Sequence, residues 1–411
     1  MPRIWLPNLE DAFLVDDYRG RAGFLPKVKT AYSRCLFWLR PGDVLILPAE
    51  IEQGFADYVA TLSALPAGSF LPHVSFSHSL VDSILMDEQM LQRLREFAKK
   101  KKFSLEPYIE TSQVVLLSQA TGLPLRRTSA ALICQGLIDR LNDKSFFKLL
   151  SRELGVEAVP SYFADNMSAL EQSIERTSRE NQDQVMVKKV QASGGLGNLA
   201  GNKEQLLKAL PEWYQGGSAI VEPLLDFVET AGSLVLIEEN ECRLMGIDRQ
   251  RFEKGKWTGF DYPHPSQELS ERLGFLSMRY ARAIQKIGGR GFLNLDWGIL
   301  PGEKPLAIEL NFRHNGFGHI LHFIEKHFGP RMRAISYIEG FETGNLDFQG
   351  LLALLDGTEF RGRSLLVEEE GRERGVIVFM PPRQGKAALA FVGDSLEECR
   401  EMKEKLEKVL P

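Results

Sequence analysis

The sequence predicts a mixed α/β protein of two or three packed units, and three observations predict it. Residues 1–135 alternate short apolar runs with helix-like stretches, the interleaving expected of a small α/β unit. From Asn142 a capped helix is followed by a strand, a glycine-rich turn, another helix and several strands. Finally, FLNLDWGILPGEKPLAIELNFRHNG has two halves that each alternate apolar and polar residues, which is a hairpin with one apolar face. A length of 411 residues fits this count at roughly 100–200 residues per domain.

Taken in order, RIWL, DVLILP and QVVLL read as strands, and DEQMLQRLREFAKKKK reads as an amphipathic helix. Its closing run Lys99 to Lys102 suits the negative end of a helix macrodipole, without any need for a phosphate ligand. NDKSFFKLLSRELG is a capped helix ending in glycine, with VPSYF as a strand entry. QVMVKK is a strand, KEQLLKALPEWY a helix, and SAIVEPLLDF, GSLVLIEEN and ECRLMGIDRQRF are successive strands. Leu269, Leu273, Leu276, Tyr280, Ile284 and Ile287 recur at steps of three and four, predicting a helix from about Gln267 to Gly288 that packs on a sheet. Beyond the hairpin, RSLLVEE and RGVIVFM suggest a strand pair, and DSLEECREMKEKLEKVL a last helix capped by Asp394 or Ser395.

Composition narrows the function. With 44% hydrophobic and 26% charged residues the chain is globular, and a net charge of −5 gives no general basic field for nucleic acid. Any anion site must be local. Cys35, Cys134, Cys242 and Cys399 are scattered without CxxC spacing, which fits a reducing cytoplasm. The start MPRIWLPNLEDAF lacks the basic end and apolar run of an export signal. The longest stretch without Asp, Glu, Lys or Arg, Tyr58 to Val81, contains Pro66 and Pro72 and is no membrane span.

The hairpin carries the chemistry. If Pro301 to Lys304 is a four-residue loop without a bulge, Leu300 pairs with Pro305, Asp296 with Glu309 and Asn294 with Asn311. Two carboxylates directly across from each other repel unless a cation lies between them. Asp, Glu and Asn are hard oxygen donors, suited to Mg²⁺ or Mn²⁺ rather than zinc. Arg313 shares the face of Glu309 and Asn311 and is left for a more distant anion, so the implied ligand is a metal-bound polyphosphate beside an anionic substrate. A solvated hairpin face with ordinary surface charges is the competing reading. In VMVKKVQASGGLGN, Gly194, Gly195 and Gly197 allow backbone N–H groups to approach phosphate, and Ser193 adds a hydroxyl. The turn matches neither a P-loop nor GxGxxG, and a hairpin tip would look the same.

Together, Lys144 in the NDK helix start, Lys188 before the glycine-rich loop, the strand exit IVEPLL, Asp296 and the run Glu309-Leu-Asn311-Phe-Arg313 resemble the ATP-grasp superfamily over residues 140–330. The LPN near Asn8, the preceding α/β unit and the small tail resemble, more loosely, its pheganomycin-type peptide ligases. The resemblance implies an α+β ATP-grasp architecture with a pre-ATP-grasp domain at 1–138, an ATP-grasp domain at 139–340 and a small C-terminal domain at 341–411. It also implies phosphate contacts from Lys144 and Lys188, with Lys189 as the alternative. Adenine would be read by Glu222 and the backbone of Leu224, and ribose by Glu229 or its rival Asp226. The metal ligands would be Asp296, Glu309 and Asn311, with Arg313 on the reacting carboxylate. Arg249 and Arg251, spaced i, i+2 in GIDRQRF, are candidates for a second anion clamp or else surface ion-pair partners.

The expected activity is ATP-dependent joining of a small-molecule or peptide carboxylic acid to an amino compound through an acyl phosphate, with ATP and Mg²⁺ or Mn²⁺ as cofactors. The alternatives are a small-molecule kinase and a non-catalytic nucleotide-binding protein. A homodimer is the expected assembly, by the same resemblance.

Overall fold

The computed structural model describes residues 1–12, 28, 31–48, 50–72, 74–76, 78–100, 103–181, 183–190, 197–253, 255–328, 333–367 and 374–410. Near the N-terminus lie four short strands, β1 (Arg3–Leu6), β2 (Val44–Ile46), β3 (Phe70–Leu71) and β4 (Ser104–Pro107), paired in parallel in the order β3-β2-β1-β4. Parallel strands are covered on both faces, which is why IWL of β1 and VLI of β2 are unbroken apolar runs. Asn8 is fully buried just after β1. It accepts the Tyr108 N–H (3.0 Å) and donates to Ile109 O (3.0 Å) and Asp11 (2.9 Å), closing the crevice between the carboxyl ends of β1 and β4.

One expected strand is a helix. QVVLL lies within Ser112–Thr121, where Thr111 Oγ1 caps the Val114 N–H (3.3 Å) and Gly122 ends the helix at φ +76°. Val114, Leu117 and Thr121, spaced by three and four, are buried on one side, so the apolar run serves a helical face.

The second sheet, antiparallel in the order β5-β8-β6-β7, comprises β5 (Tyr162–Ala164), β6 (Val185–Lys189), β7 (Asn198–Gly201) and β8 (Ala219–Pro223). Helices Met167–Glu180 and Lys203–Trp213 cover it, the latter opened by a capping box from Asn202 and Gln205. The largest sheet includes β9 (Glu229–Ile237), β10 (Cys242–Glu253), β11 (Lys256–Tyr262), β12 (Gly291–Leu300), β13 (Lys304–Asn311) and β14 (Ala334–Glu342). A small hairpin follows, β15 (Glu359–Phe360) with β16 (Arg363–Ser364). β17 (Gly375–Arg383) and β18 (Lys386–Gly393) then complete the largest sheet, whose order is β13-β12-β9-β10-β11-β14-β18-β17.

RGVIVFM thus pairs with KAALAFVG, whereas the described part of RSLLVEE supplies β16 to the small hairpin and meets RGVIVFM at the bridge Leu366 to Val376. Within the tail 341–411, β17 and β18 extend the central sheet, and their core includes the N-terminal unit's Phe37, which lies 4.3 Å from Phe379 and 4.9 Å from Phe323 between ring centroids.

The central hairpin reaches the expected register at its functional end by a different route. Asp296 faces Glu309 and Asn294 faces Asn311, but Leu300 pairs with Lys304 and a bulge intervenes between Asp296 and Trp297. The turn is therefore one residue shorter, with Gly302 and Glu303 at positive φ, and Ile308 is the extra bulge residue. This places Ala307 opposite Trp297, while its backbone bonds Glu157 O (2.9 Å) and the Val159 N–H (3.2 Å). Docking of 157–159 on this outer strand accompanies the shift.

Candidate active site

On β12, Leu293, Leu295 and Trp297 bury with the helix Gln267–Lys286, leaving Asn294 and Asp296 on the other side of the sheet. The ladder sets Asp248, Gly232, Asp296 and Glu309 opposite one another across β10, β9, β12 and β13. Three carboxylates and one glycine thus form a row. Asp296 accepts from Gln250 (2.7 Å), Asn294 (3.0 Å) and Asn311 (3.1 Å). Even so, burial and the charge of Glu309 push Asp296 up to about 6. Burial also pushes Asp248 up to about 8, and its Oδ1 has no hydrogen-bond partner among the described residues.

The cations arrive from three elements. Asp143 caps the helix Lys144–Glu153 by accepting from Ser145 N (2.7 Å) and Phe146 N (3.1 Å), so that Lys144 reaches Glu309 with Nζ at 2.9 Å. Burial favours the neutral Glu309, but Lys144, Lys188 and Arg313 outweigh it and hold the carboxyl below its ordinary range. Arg313 donates to Asn142 Oδ1 (2.8 Å), which also accepts the Phe312 N–H (2.9 Å).

In β6, Lys188 and Lys189 point to opposite faces. Lys188 Nζ lies 2.6 Å from Glu222 and feels Glu309 and Asp296, whereas Lys189 Nζ lies 5.7 Å from the centroid of Trp213. Lys188 is therefore the lysine on the acidic side. Burial, the largest single effect, lowers the Lys188 pKa, but Glu222, Glu309 and Asp296 together outweigh it and the net shift is upward.

Several expected roles meet a different arrangement. Glu222 is buried with Lys148 on one oxygen and Lys188 on the other, both at 2.6 Å, so its carboxylate joins two lysines rather than standing open to an adenine amino group. The Leu224 N–H donates to Gln184 O (3.0 Å) and is already engaged. Glu229 alternates with Thr230 and Gly232, out of phase with the acidic row, and its carboxylate meets His264 Nε2 at 3.1 Å; Asp226 is exposed.

Arg249 and Arg251 are likewise out of phase with Asp248 and Gln250. They pair with Asp261 (2.9 and 2.6 Å), and Arg251 also holds Ser336 Oγ (3.1 Å) and Tyr337 O. Both are thus ion-pair partners of Asp261 on the face away from Asp296, which is the alternative arrangement for this pair. Ser193, Gly194 and Gly195 lie outside the described residues.

Sequence reading missed Lys148, Gln250 and Asn142. Lys148 is one helical turn from Lys144, a spacing that could have revealed it. Gln250 sits between the two arginines that draw attention to GIDRQRF, in the phase that faces the site.

Among the described residues, no three His, Cys, Asp or Glu side chains form a metal-binding group. The donor set at the hairpin is two carboxylates and the Asn311 amide. Opposed carboxylates, one of them raised toward neutrality by the other, fit a hard divalent cation such as Mg²⁺ or Mn²⁺.

A family model described as a Pre ATP-grasp domain matches residues 32–123. A search of curated proteins finds no match. Among solved structures, N5-carboxyaminoimidazole ribonucleotide synthetase from Thermus thermophilus superposes with a TM-score of 0.61 at 16% identity, covering 100% of this chain and 98% of that one. The N5-carboxyaminoimidazole synthase of Aspergillus clavatus, in complex with ADP and 5-aminoimidazole ribonucleotide, gives 0.60 at 11% identity, with coverage of 100% and 98%. The biotin carboxylase domain dimer of Hydrogenobacter thermophilus 2-oxoglutarate carboxylase, with MgADP, ADP and bicarbonate, gives 0.62 at 13% identity, with coverage of 100% and 90%. The chain therefore has the ATP-grasp fold behind a pre-ATP-grasp domain. No helix among the described residues is long and apolar enough to cross a membrane.

Proposed function

We propose that this chain, with its ATP-grasp fold, is an ATP-dependent carboxylate–amine ligase that forms an amide or peptide bond. One observation carries the proposal: Lys144, Lys188 and Arg313 converge from three elements on the opposed pair Asp296 and Glu309. That combination suits a metal polyphosphate next to a second anion.

In this reading Lys144 and Lys188 neutralise the phosphate oxygens of ATP, and Arg313, fixed by Asn142, holds the substrate carboxylate for in-line transfer. Asp296, Glu309 and Asn311 would hold Mg²⁺ or Mn²⁺, which supplies charge neutralisation at the phosphates when bound. A carboxylate oxygen attacks the γ-phosphorus and the bond to ADP breaks. The amine nitrogen then attacks the acyl carbon, phosphate leaves with the C–O bonding pair, and the amine proton passes to solvent or phosphate. Positioning and charge suffice, so no Ser or Cys nucleophile is needed. Adenine and ribose would lie between the second sheet and the hairpin, near the exit of β8.

The acid is proposed to be a small molecule or peptide and the amine a small amino compound, consistent with neighbours whose structures contain an amino ribonucleotide or bicarbonate. A cytoplasmic homodimer is the proposed setting. Panels of acids and amines should be screened with ADP release as the trigger and mass spectrometry of the product. ADP and phosphate forming only with both partners present is the expected result. AMP and pyrophosphate, or a stable phosphorylated product without an amine requirement, would overturn the ligase assignment.

A further inference from the structure

We infer that Gln250 is a positioning residue for the metal centre, acting on Asp296 across a gap that Gly232 keeps open. The inference rests on the assignment of Asp296 and Glu309 as metal ligands. Gln250 belongs to β10 and Asp296 to β12, with β9 between them, so the two are not on neighbouring strands. Nevertheless Gln250 Nε2 donates to Asp296 Oδ1 at 2.7 Å, the shortest of the three amide contacts that hold this carboxylate.

The bridge is possible because residue 232, which faces Asp248 on one side and Asp296 on the other, has no side chain. A Cβ built there would lie 2.8 Å from Gln250 Nε2 and 2.3 Å from Asp248 Oδ1. Gly232 has no positive φ to account for glycine, so the space above it is what the residue supplies.

The three amides do different jobs. Asn311 is itself a proposed metal ligand, and Asn294 is tied to Asn315 (2.6 Å), whose Oδ1 accepts the Gly318 N–H (2.7 Å) near the start of the helix Gly316–Phe328. Gln250 reaches Asp296 from the opposite side, so Oδ1 is gripped by both Gln250 and Asn294 while Oδ2 takes Asn311. A ligand carboxylate held in this way is presented in one orientation, and loss of such outer contacts typically costs about 10–100-fold in metal affinity.

The test uses Mn²⁺ as the probe, its binding to the full chain being followed by electron paramagnetic resonance with and without ADP. Gln250→Met keeps the volume and removes the donor; Gly232→Ala keeps every polar group and fills the gap. Gln250→Met should weaken Mn²⁺ binding about 10-fold or more with metal-free ADP affinity and melting temperature unchanged, and Gly232→Ala, whose Cβ also displaces buried Asp248, should weaken it as much with some loss of melting temperature. Glu309→Gln separates the two levels: if it leaves Mn²⁺ affinity unchanged, the metal assignment itself has failed. If Glu309→Gln weakens Mn²⁺ binding but Gln250→Met does not, the role of Gln250 is overturned. Loss of melting temperature and metal affinity together in Gln250→Met would also overturn it, in favour of a structural role.

Discussion

Replacing Glu222 with Gln should destabilise the protein by an amount the site allows one to estimate. Glu222 is 2% exposed and its two oxygens each meet an ammonium group at 2.6 Å, Lys148 and Lys188, whose side chains are 7% and 13% exposed. Glutamine preserves the shape and one acceptor but leaves two buried cations facing a neutral amide. Removing one partner of a buried pair typically costs about 3–5 kcal/mol. With unfolding entropy near 2.1 cal/mol/K per residue, 411 residues give about 0.9 kcal/mol/K, so the melting temperature should fall by about 4–6 °C. The defect should shrink at alkaline pH, where Lys148, which burial already lowers despite Glu222, can shed its charge. Lys148→Met should cost less in the Glu222→Gln background than in the wild type, because it then removes an unpaired charge. Scanning calorimetry of the four proteins measures all of this. A melting temperature within about one degree of wild type for Glu222→Gln would refute the reasoning.

Glu309→Ala should abolish metal-dependent turnover with the far-ultraviolet circular dichroism retained; full activity in a folded variant would remove Glu309 from the site. Arg313→Ala should keep ATP binding and lose acyl transfer, as read by calorimetry and product formation. Lys188→Met should weaken ATP binding far more than Lys189→Met, since only Lys188 faces the acids. His314 is buried among Trp5, Trp38 and Phe292, and burial lowers it from 6.5 to about 4. A base whose pKa is lower folded than unfolded contributes stability above pH 6.5 and loses it as pH falls toward 4, here roughly 3 kcal/mol. Denaturant melts across that window should show the loss, and His314→Phe should flatten it.

The hairpin is legible in the sequence because alternation and a short connection confine its register, and matched acids are conspicuous on one face. What alternation does not show is the compensating pair of a shorter turn and a bulge, since both routes leave Asp296 opposite Glu309. In GIDRQRF the arginines draw attention, yet strand phase turns Asp248 and Gln250 toward the site and spends both arginines on Asp261. Only the partner strands decide which phase faces the cleft. Glu222 stands out as a carboxylate at a strand exit, but its two lysine partners depend on a helix and a strand far apart in sequence. QVVLL reads as a strand because so short an apolar-rich run does not distinguish a strand from one face of a helix; the cap at Thr111 and Gly122 decides it.

β17 and β18 sit in the same sheet as the hairpin of Asp296 and Glu309, which ties completion of the core to residues made well after that hairpin. β14 cannot gain its second neighbour, nor Phe37 its contact with Phe379, until residues 375–393 have been made. Until then Phe37 in the N-terminal unit lacks part of its aromatic cover. A stop codon between Arg313 and β17 would therefore yield a chain that keeps Asp296, Glu309 and Arg313 yet lacks the strands that complete its core.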